Sequence, residues 1–211
     1  MPALGLRGMQ RVTVLPDVIV VSAAGVGGGS LIYANTLYEP PAEFFADRRW
    51  SGITDWQREL APCYAQASRM LGVVRQPSIT PTDRVIRDVA EDMGVRDSFV
   101  RAPVGVFFVT PGHRVPDPYF GGAGPDRSGC TQCGDCLIGC RIGAKNRLDL
   151  NYLHLAEQAG ATVHPETEVT ALRPTGGGRR WEVSAGSQLF RCDQVVLAAG
   201  VPARPATPVV S

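Results

Sequence analysis

Cys130, Cys133, Cys136 and Cys140 fall within eleven residues, in the spacing C-x2-C-x2-C-x3-C. A packed core has no use for such clustering. Thiolates three residues apart on a turning loop can converge on one soft metal centre, and this spacing is that of bacterial-type iron–sulfur proteins. Arg141 follows the last cysteine where the ferredoxin run has proline, and no second cysteine run occurs. In two-cluster proteins the fourth cysteine of such a run serves the other cluster, so a single 4Fe-4S cluster here would draw on a remote ligand. Cys63 and Cys192 are the candidates for it. Structural zinc on four thiolates is a second reading, although zinc sites usually take their ligands from two separated stretches. Disulfides or unliganded thiols are the third reading, and all three stay open.

The other stretch with chemical potential is Gly25-Val26-Gly27-Gly28-Gly29-Ser30. Residues 17–24 before it, rich in Val and Ile, read as a buried strand. Glycines after a strand let the backbone turn sharply and approach a pyrophosphate or a flat ring. A dinucleotide fingerprint, G-x-G-x-x-G, needs glycine where Ser30 stands. The segment that follows ends in Pro40 and Pro41 and makes a poor crossover helix. The stretch therefore reads as a glycine-rich cofactor loop of another kind, with a plain tight turn as the alternative. His113, in a long loop, has the chemistry of a base, but a lone loop histidine is usually solvated, and His154 and His164 read the same way.

Both stretches must be positioned by ordinary elements. Trp56, Leu60, Tyr64, Ala67 and Leu71 recur at helical intervals, with Thr54 or Asp55 as cap and Gly72 as stop. Pro62 is expected to divide this region into a short helix and a longer one that it opens. Cys63 then reads as a packing residue. A second helix is expected over 82–93, closed by Gly94. Residues 102–109 read as a strand, and 111–128 as a long proline- and glycine-rich loop that delivers the chain to the cysteines. After them come a helix bearing Leu148, Tyr152, Leu155 and Ala159, stopped by Gly160, and strands at 161–164, 168–173, 180–184 and 188–191. The middle pair is joined by a hairpin-type turn at 175–178. Residues 193–200 read as a buried strand ending in small residues, and 201–211 as a disordered tail.

At 211 residues, 44% of them hydrophobic, the chain is long enough to bury a core. Its net charge of +1 supplies no field for nucleic acid or anionic lipid, which disfavours both. No apolar run reaches the length of a membrane helix. Pro16 and Asp17 interrupt the short apolar N-terminal stretch, so a signal peptide is not expected and a cytoplasmic location follows by default.

Taken in order, these stretches resemble the central part of the glucose–methanol–choline (GMC) family of FAD-dependent oxidoreductases, in its cholesterol-oxidase-like branch. The carrying residues are 25–35 with Glu39-Pro40, the Pro118-Tyr-Phe-Gly-Gly loop, 143–149 with Asn151-Tyr152-Leu153, and 195–200. The resemblance implies an α/β (mixed α+β) fold with an incomplete Rossmann-like core and part of a substrate cap. It divides the chain into 1–40, an FAD-contacting strand and loop; 41–127, helical and on the substrate side; 128–200, the cysteine loop and the return to the FAD-binding sheet; and 201–211, the tail. It implies FAD as cofactor, with Gly25, Gly27, Gly28, Gly29, Ser30 and Asn35 beside the pyrophosphate and flavin ring, and Val169, Ala199 and Gly200 on the adenine side.

The family oxidises an alcohol, in this branch a 3-hydroxysteroid such as cholesterol, by hydride transfer to the flavin. The family's opening G-x-G-x-x-G turn is not found before Gly25, and no counterpart of its C-terminal catalytic histidine occurs, so no catalytic residue is assigned. The expectation is a fragment, with weak or absent FAD binding by itself, for which a second chain would supply the remaining parts. An iron–sulfur or metal-binding module on Cys130–Cys140 and an inactive remnant are the alternatives.

Overall fold

In the computed structural model, residues 8–176 and 180–199 are described. The chain falls into two units, residues 1–161 and 162–211. Both helix and sheet are present, so the chain is of mixed α and β class.

The first unit opens with a ribbon. Strands β1 (Gln10–Val14) and β2 (Ile19–Ala23) pair antiparallel, with Gln10 opposite Ala23 and Val14 opposite Ile19. The turn between them is closed by Leu15 N–H donating to the Val18 carbonyl at 2.9 Å. The buried strand expected at 17–24 is thus corrected: the strand is there, but Ile19 is 65% exposed. A two-stranded sheet offers no second layer to cover its faces.

After a one-turn helix α1 (Ala42–Phe45), α2 runs from Trp56 to Met70. The Asp55 carboxylate accepts from Arg58 N–H at 3.1 Å and caps it. Pro62 lies inside α2 and does not divide it. The cost of a proline there is one lost hydrogen bond, to the carbonyl four residues back. Arg58 and Pro62 both lie on the exposed face, where solvent can take that carbonyl. Cys63, expected to pack, is exposed on the same face.

The short strand β3 (Val74–Arg75) leads to α3 (Pro81–Asp92). Thr80 and Asp83 form a reciprocal capping box: Thr80 N–H donates to Asp83 Oδ2 at 2.7 Å, and Asp83 N–H to Thr80 Oγ1 at 3.3 Å. Strand β4 (Pro103–Val104) pairs with β3. The strand expected over 102–109 shrinks to these two residues because its neighbours change along its length. Asn35 accepts from Gly105, Val106 bridges to Lys145, and Ala144 accepts from Phe107. No single ladder forms.

Strands β5 (Arg114–Val115) and β6 (Arg127–Ser128) close the base of the long loop. Its tip winds around Asp117, whose carboxylate accepts N–H groups from Tyr119, Phe120, Gly122 and Gly124 at 2.9–3.1 Å. Beyond the cysteines, 3-10 turns at Asp135–Ile138 and Leu148–Leu150 precede helix α4 (Tyr152–Gln158).

The core of this unit is unusual in its chemistry. Its apolar centre is small: Val104, Val106 and Ala144, with Ala102, Phe108, Cys130, Cys140 and Ile142 packed against them. The largest fully buried side chains among the described residues are polar: Arg127, Lys145, Asn146 and Asn151. Buried polar groups are tolerable only when hydrogen-bonded, so the interior is organised by where these four find partners.

The second unit is an antiparallel meander of β7 (Ala171–Pro174), β8 (Trp181–Ala185) and β9 (Gln188–Cys192). Thr175 N–H donates to the Arg180 carbonyl at 2.9 Å, so the expected hairpin forms, although residues 177–179 lie outside the described set. The strand expected from 168 begins at Ala171, which leaves Val169 half-exposed before it. Residues 161–164 and 193–199 form no strand, and Val196 and Leu197 are 87% and 71% exposed. Strand-forming residues need a neighbouring strand to satisfy their backbone, and 193–199 has none among the described residues. Gly200 and the expected tail at 201–211 lie outside the described residues.

Candidate functional site

The glycine stretch leaves β2 and turns at once. Gly27 (φ 104°) and Gly28 (φ 54°) take left-handed backbone, and a 3-10 turn follows over Gly28–Leu31. Ser30, which breaks the dinucleotide fingerprint, has a structural task. Its hydroxyl donates to the Gly27 carbonyl at 2.6 Å and accepts from Leu148 N–H at 2.9 Å. It thereby fastens the turn to residues 147–149, where Arg147 and Asp149 form a half-buried bidentate ion pair at 3.1 and 2.8 Å. One face of the turn is closed, since a Cβ on Gly25 would meet Leu31 Cδ1 at 2.9 Å. The other is open: a Cβ on Gly28 or Gly29 would meet nothing within 4 Å. Backbone held rigid behind and bare in front is what close approach by a flat or anionic ligand requires.

Lys145 braces this turn from inside. Its side chain reaches back more than a hundred residues, and its ammonium donates to the carbonyls of Leu31 and Tyr33 at 3.0 Å each and of Cys136 at 2.7 Å. It also lies 4.7 Å from the centre of the Tyr33 ring, a cation–π contact. All three ammonium hydrogens are used, which is how a residue only 1% exposed keeps its place. Burial pulls its pKa down from the ordinary lysine value, against the nearby Cys136, which raises it.

Beside Lys145, Asn146 extends the same framework. Its amide donates to the Leu71 carbonyl at 2.7 Å, its backbone carbonyl accepts from the Tyr33 hydroxyl at 2.6 Å, and its side-chain oxygen accepts from Arg127. Burial and the neighbouring Cys136 hold the Tyr33 hydroxyl well above the usual tyrosine range. Arg127 is as buried as Lys145 but less satisfied: its Nε and Nη1 have no hydrogen-bond partner among the described residues. Burial lowers its pKa, while the Tyr119 ring lies 5.7 Å from the guanidinium carbon.

On the other side of Lys145 the cysteine loop borders an open cavity of ≈ 200 Å³. All four clustered cysteines line it, with Val104, Val106, Phe108, Ile142 and Ala144 as its apolar wall and polar groups that include Asn35, Gln76, Asp135 and Lys145 around them. Asn35 (φ 63°) donates its side-chain amide to Cys136 Sγ at 2.9 Å. The thiols are not alike. Burial pushes the Cys130 thiol up despite one N–H from Gln132 at 3.3 Å. Burial also acts upward on Cys140, but the backbone N–H groups of Lys145, Ala144, Gly143 and Ile142 outweigh it and hold that thiol below its ordinary value.

The structure thus brings together Gly25, Gly27, Gly28, Gly29, Ser30 and Asn35, and joins them through Asn35 and Lys145 to the cysteine loop. Val169 and Ala199 belong to the second unit. All six cysteines are free thiols. Among the described residues no three Cys, His, Asp or Glu side chains converge as a metal-binding group, so the iron–sulfur and zinc readings gain no support. Lys145, Asn146, Arg127 and Tyr33 escaped sequence reasoning as site residues. The available signal was Lys145-Asn146 behind Gly143-Ala144, a polar pair, one of it charged, beside small residues.

A family profile described as FAD dependent oxidoreductase matches residues 3–210. The chain is similar to a cholesterol oxidase of Mycobacterium tuberculosis, 55% identical over 213 residues, a match that covers 94% of this chain and 37% of that protein. It is also similar to a cholesterol oxidase of Acinetobacter baumannii, 41% identical over 180 residues, covering 83% of this chain and 32% of the relative. The chain therefore spans about a third of the length of the curated relatives it matches. No solved structure matches.

Proposed function

Because the chain belongs to the FAD-dependent oxidoreductase family, we propose that residues 25–35 form one wall of an FAD site in a protein that oxidises an alcohol, with a 3-hydroxysteroid as substrate class. The single observation that carries this is the bare outer face of Gly28 and Gly29 on a turn otherwise pinned by Ser30 and Lys145. The sterol comes from the activity printed for both relatives. In the same reading the architecture is of GMC type, residues 41–127 face the substrate side, and Val169, Ala199 and Gly200 serve the adenine end.

Gly27, Gly28, Gly29 and Ser30 would hold FAD, which when bound would supply a hydride acceptor for the alcohol. The residues of this chain hold and exclude. Gly27, Gly28 and Gly29 admit the cofactor to backbone distance, Ser30 keeps their geometry, and Lys145 fixes the turn without spending a charge on the ligand. No G-x-G-x-x-G run occurs in these 211 residues, so the contact that holds a pyrophosphate most strongly in dinucleotide folds is not among them. Weak FAD binding by this chain follows.

The test is a titration of 15N-labelled chain with FAD. Amide shifts are expected at Gly27 to Asn35, and Gly29→Val should remove them while leaving the circular dichroism spectrum unchanged. Shifts confined to the cysteine loop, or unaltered by Gly29→Val, would refute the assignment.

No helix among the described residues is long and apolar enough to cross a membrane.

A further inference from the structure

The flavin reading leaves the thiol cavity without a task. Four free thiols around one space of ≈ 200 Å³ is far more room than a water-sized molecule occupies. The four are not equivalent by position. Cys130 and Cys140 both pack against the cluster of Val104, Val106 and Ala144, so they share one apolar wall. Cys136 is engaged by the Asn35 amide at 2.9 Å, and Cys133 is exposed. The surroundings of the first two also differ. The backbone amides of residues 142–145 favour negative charge on Cys140, whereas burial disfavours it on Cys130, and both thiols share the cavity with the Lys145 ammonium and the Asp135 side chain.

We propose that this cavity is a thiol oxidation site, in which hydrogen peroxide oxidises Cys140 and Cys130 then closes on it as a disulfide. The Cys140 thiolate attacks one peroxide oxygen: the S–O bond forms, the O–O bond breaks, and the departing hydroxide takes up a proton as water. The Cys130 thiol then attacks the Cys140 sulfenic sulfur. The S–S bond forms, the S–O bond breaks, and the Cys130 proton leaves with the hydroxyl as a second water. Two thiols lose two electrons and one peroxide becomes two waters. Cys136 lies between the pair in sequence, and its carbonyl and sulfur hold Lys145 and Asn35. The disulfide therefore forms in the loop that braces the glycine turn. This proposal does not depend on flavin binding, because its readout is the thiols themselves.

The reduced chain is treated with one equivalent of hydrogen peroxide, alkylated, then reduced and alkylated with a second isotopic label for peptide mapping. Cys130 and Cys140 should be lost together, one peroxide per pair, while the exposed Cys63 and Cys133 remain alkylatable. In Cys130→Ser, dimedone should label Cys140. In Cys140→Ser, Cys130 should stay reduced, with thiol loss at least about tenfold slower. Oxidation in order of exposure, with Cys63 or Cys133 first, overturns the proposal, as does a Cys130 bond to Cys133 or Cys136. The wild-type map decides this even if neither variant folds.

Discussion

Replacing Lys145 with methionine tests the claim that one buried ammonium holds the glycine turn and the cysteine loop together. The side chain is of similar length, so packing along the stem is largely kept. What is lost is the donor to three carbonyls, those of Leu31, Tyr33 and Cys136 at 2.7–3.0 Å. A hydrogen bond to a charged group contributes about 1.5–3 kcal/mol, and a buried carbonyl stripped of its donor costs about 1–3 kcal/mol. Relief of the desolvation of a buried charge works in the opposite direction by several kcal/mol.

With partial offset, a net loss of about 3 kcal/mol is expected, near the lower figure measured when one partner of a buried charged interaction is removed. For a chain of this size that is a fall of about 6–12 °C in Tm. Urea denaturation followed by circular dichroism gives the free energy, and Lys145→Gln, which keeps two donors, should fall between. A Lys145→Met protein within about 0.5 kcal/mol of the parent, the range of an ordinary surface change, would show that the three bonds are incidental and that the turn is held by something else.

Two further perturbations probe the scaffold. Asp117 accepts four backbone N–H groups; burial acts to raise its pKa, but the bonds from Tyr119, Gly124, Gly122 and Phe120 outweigh it and hold it below the usual carboxylate value. A group depressed on folding contributes stability that is present above its unfolded pKa and is lost as pH falls through its folded pKa. The stability gap between the parent and Asp117→Asn should therefore be about 1–3 kcal/mol and flat at neutral pH, then shrink below about pH 4; a gap that grows on acidification refutes this. Gly72 has φ 55°, and a Cβ there would lie 2.7 Å from Tyr119 Cζ and 2.9 Å from Asn146 Nδ2. Gly72→Ala should cost at least about 3 kcal/mol in a urea melt, whereas Gly28→Ala, which shares the left-handed φ but faces open space, should cost only about 1–2 kcal/mol; equal losses would mean that the Tyr119–Asn146 contact yields freely.

Much of the local structure was legible from the chain alone because it rests on contacts within a few residues. The Asp55 cap, the Gly72, Gly94 and Gly160 stops and the hairpin at Thr175 are local devices, readable at spacings of one to four; the Thr80–Asp83 box, which starts the second helix one residue before the expected 82, escaped sequence reasoning. The family, too, was legible, because it is written in the order of short motifs between Gly25 and Gly200. Pro62 misled because its cost depends on which face of α2 it occupies, and that is a matter of exposure. The run at 193–199 misled because β-forming residues state only a preference for a partner strand.

Residue types and their order determined that this chain turns tightly after a strand, caps its helices and gathers its thiols in one loop. Tertiary structure alone decided that Lys145 would close the glycine turn from behind, that Ser30 would reach Leu148, and that Cys130 and Cys140 would share a wall. These contacts join residues 118, 114 and 112 positions apart, for Ser30 with Leu148 and Lys145 with Leu31 and Tyr33. No periodicity encodes such pairs. A buried polar side chain takes whatever acceptor the folded backbone brings within 3 Å, and only the completed fold shows which one that is.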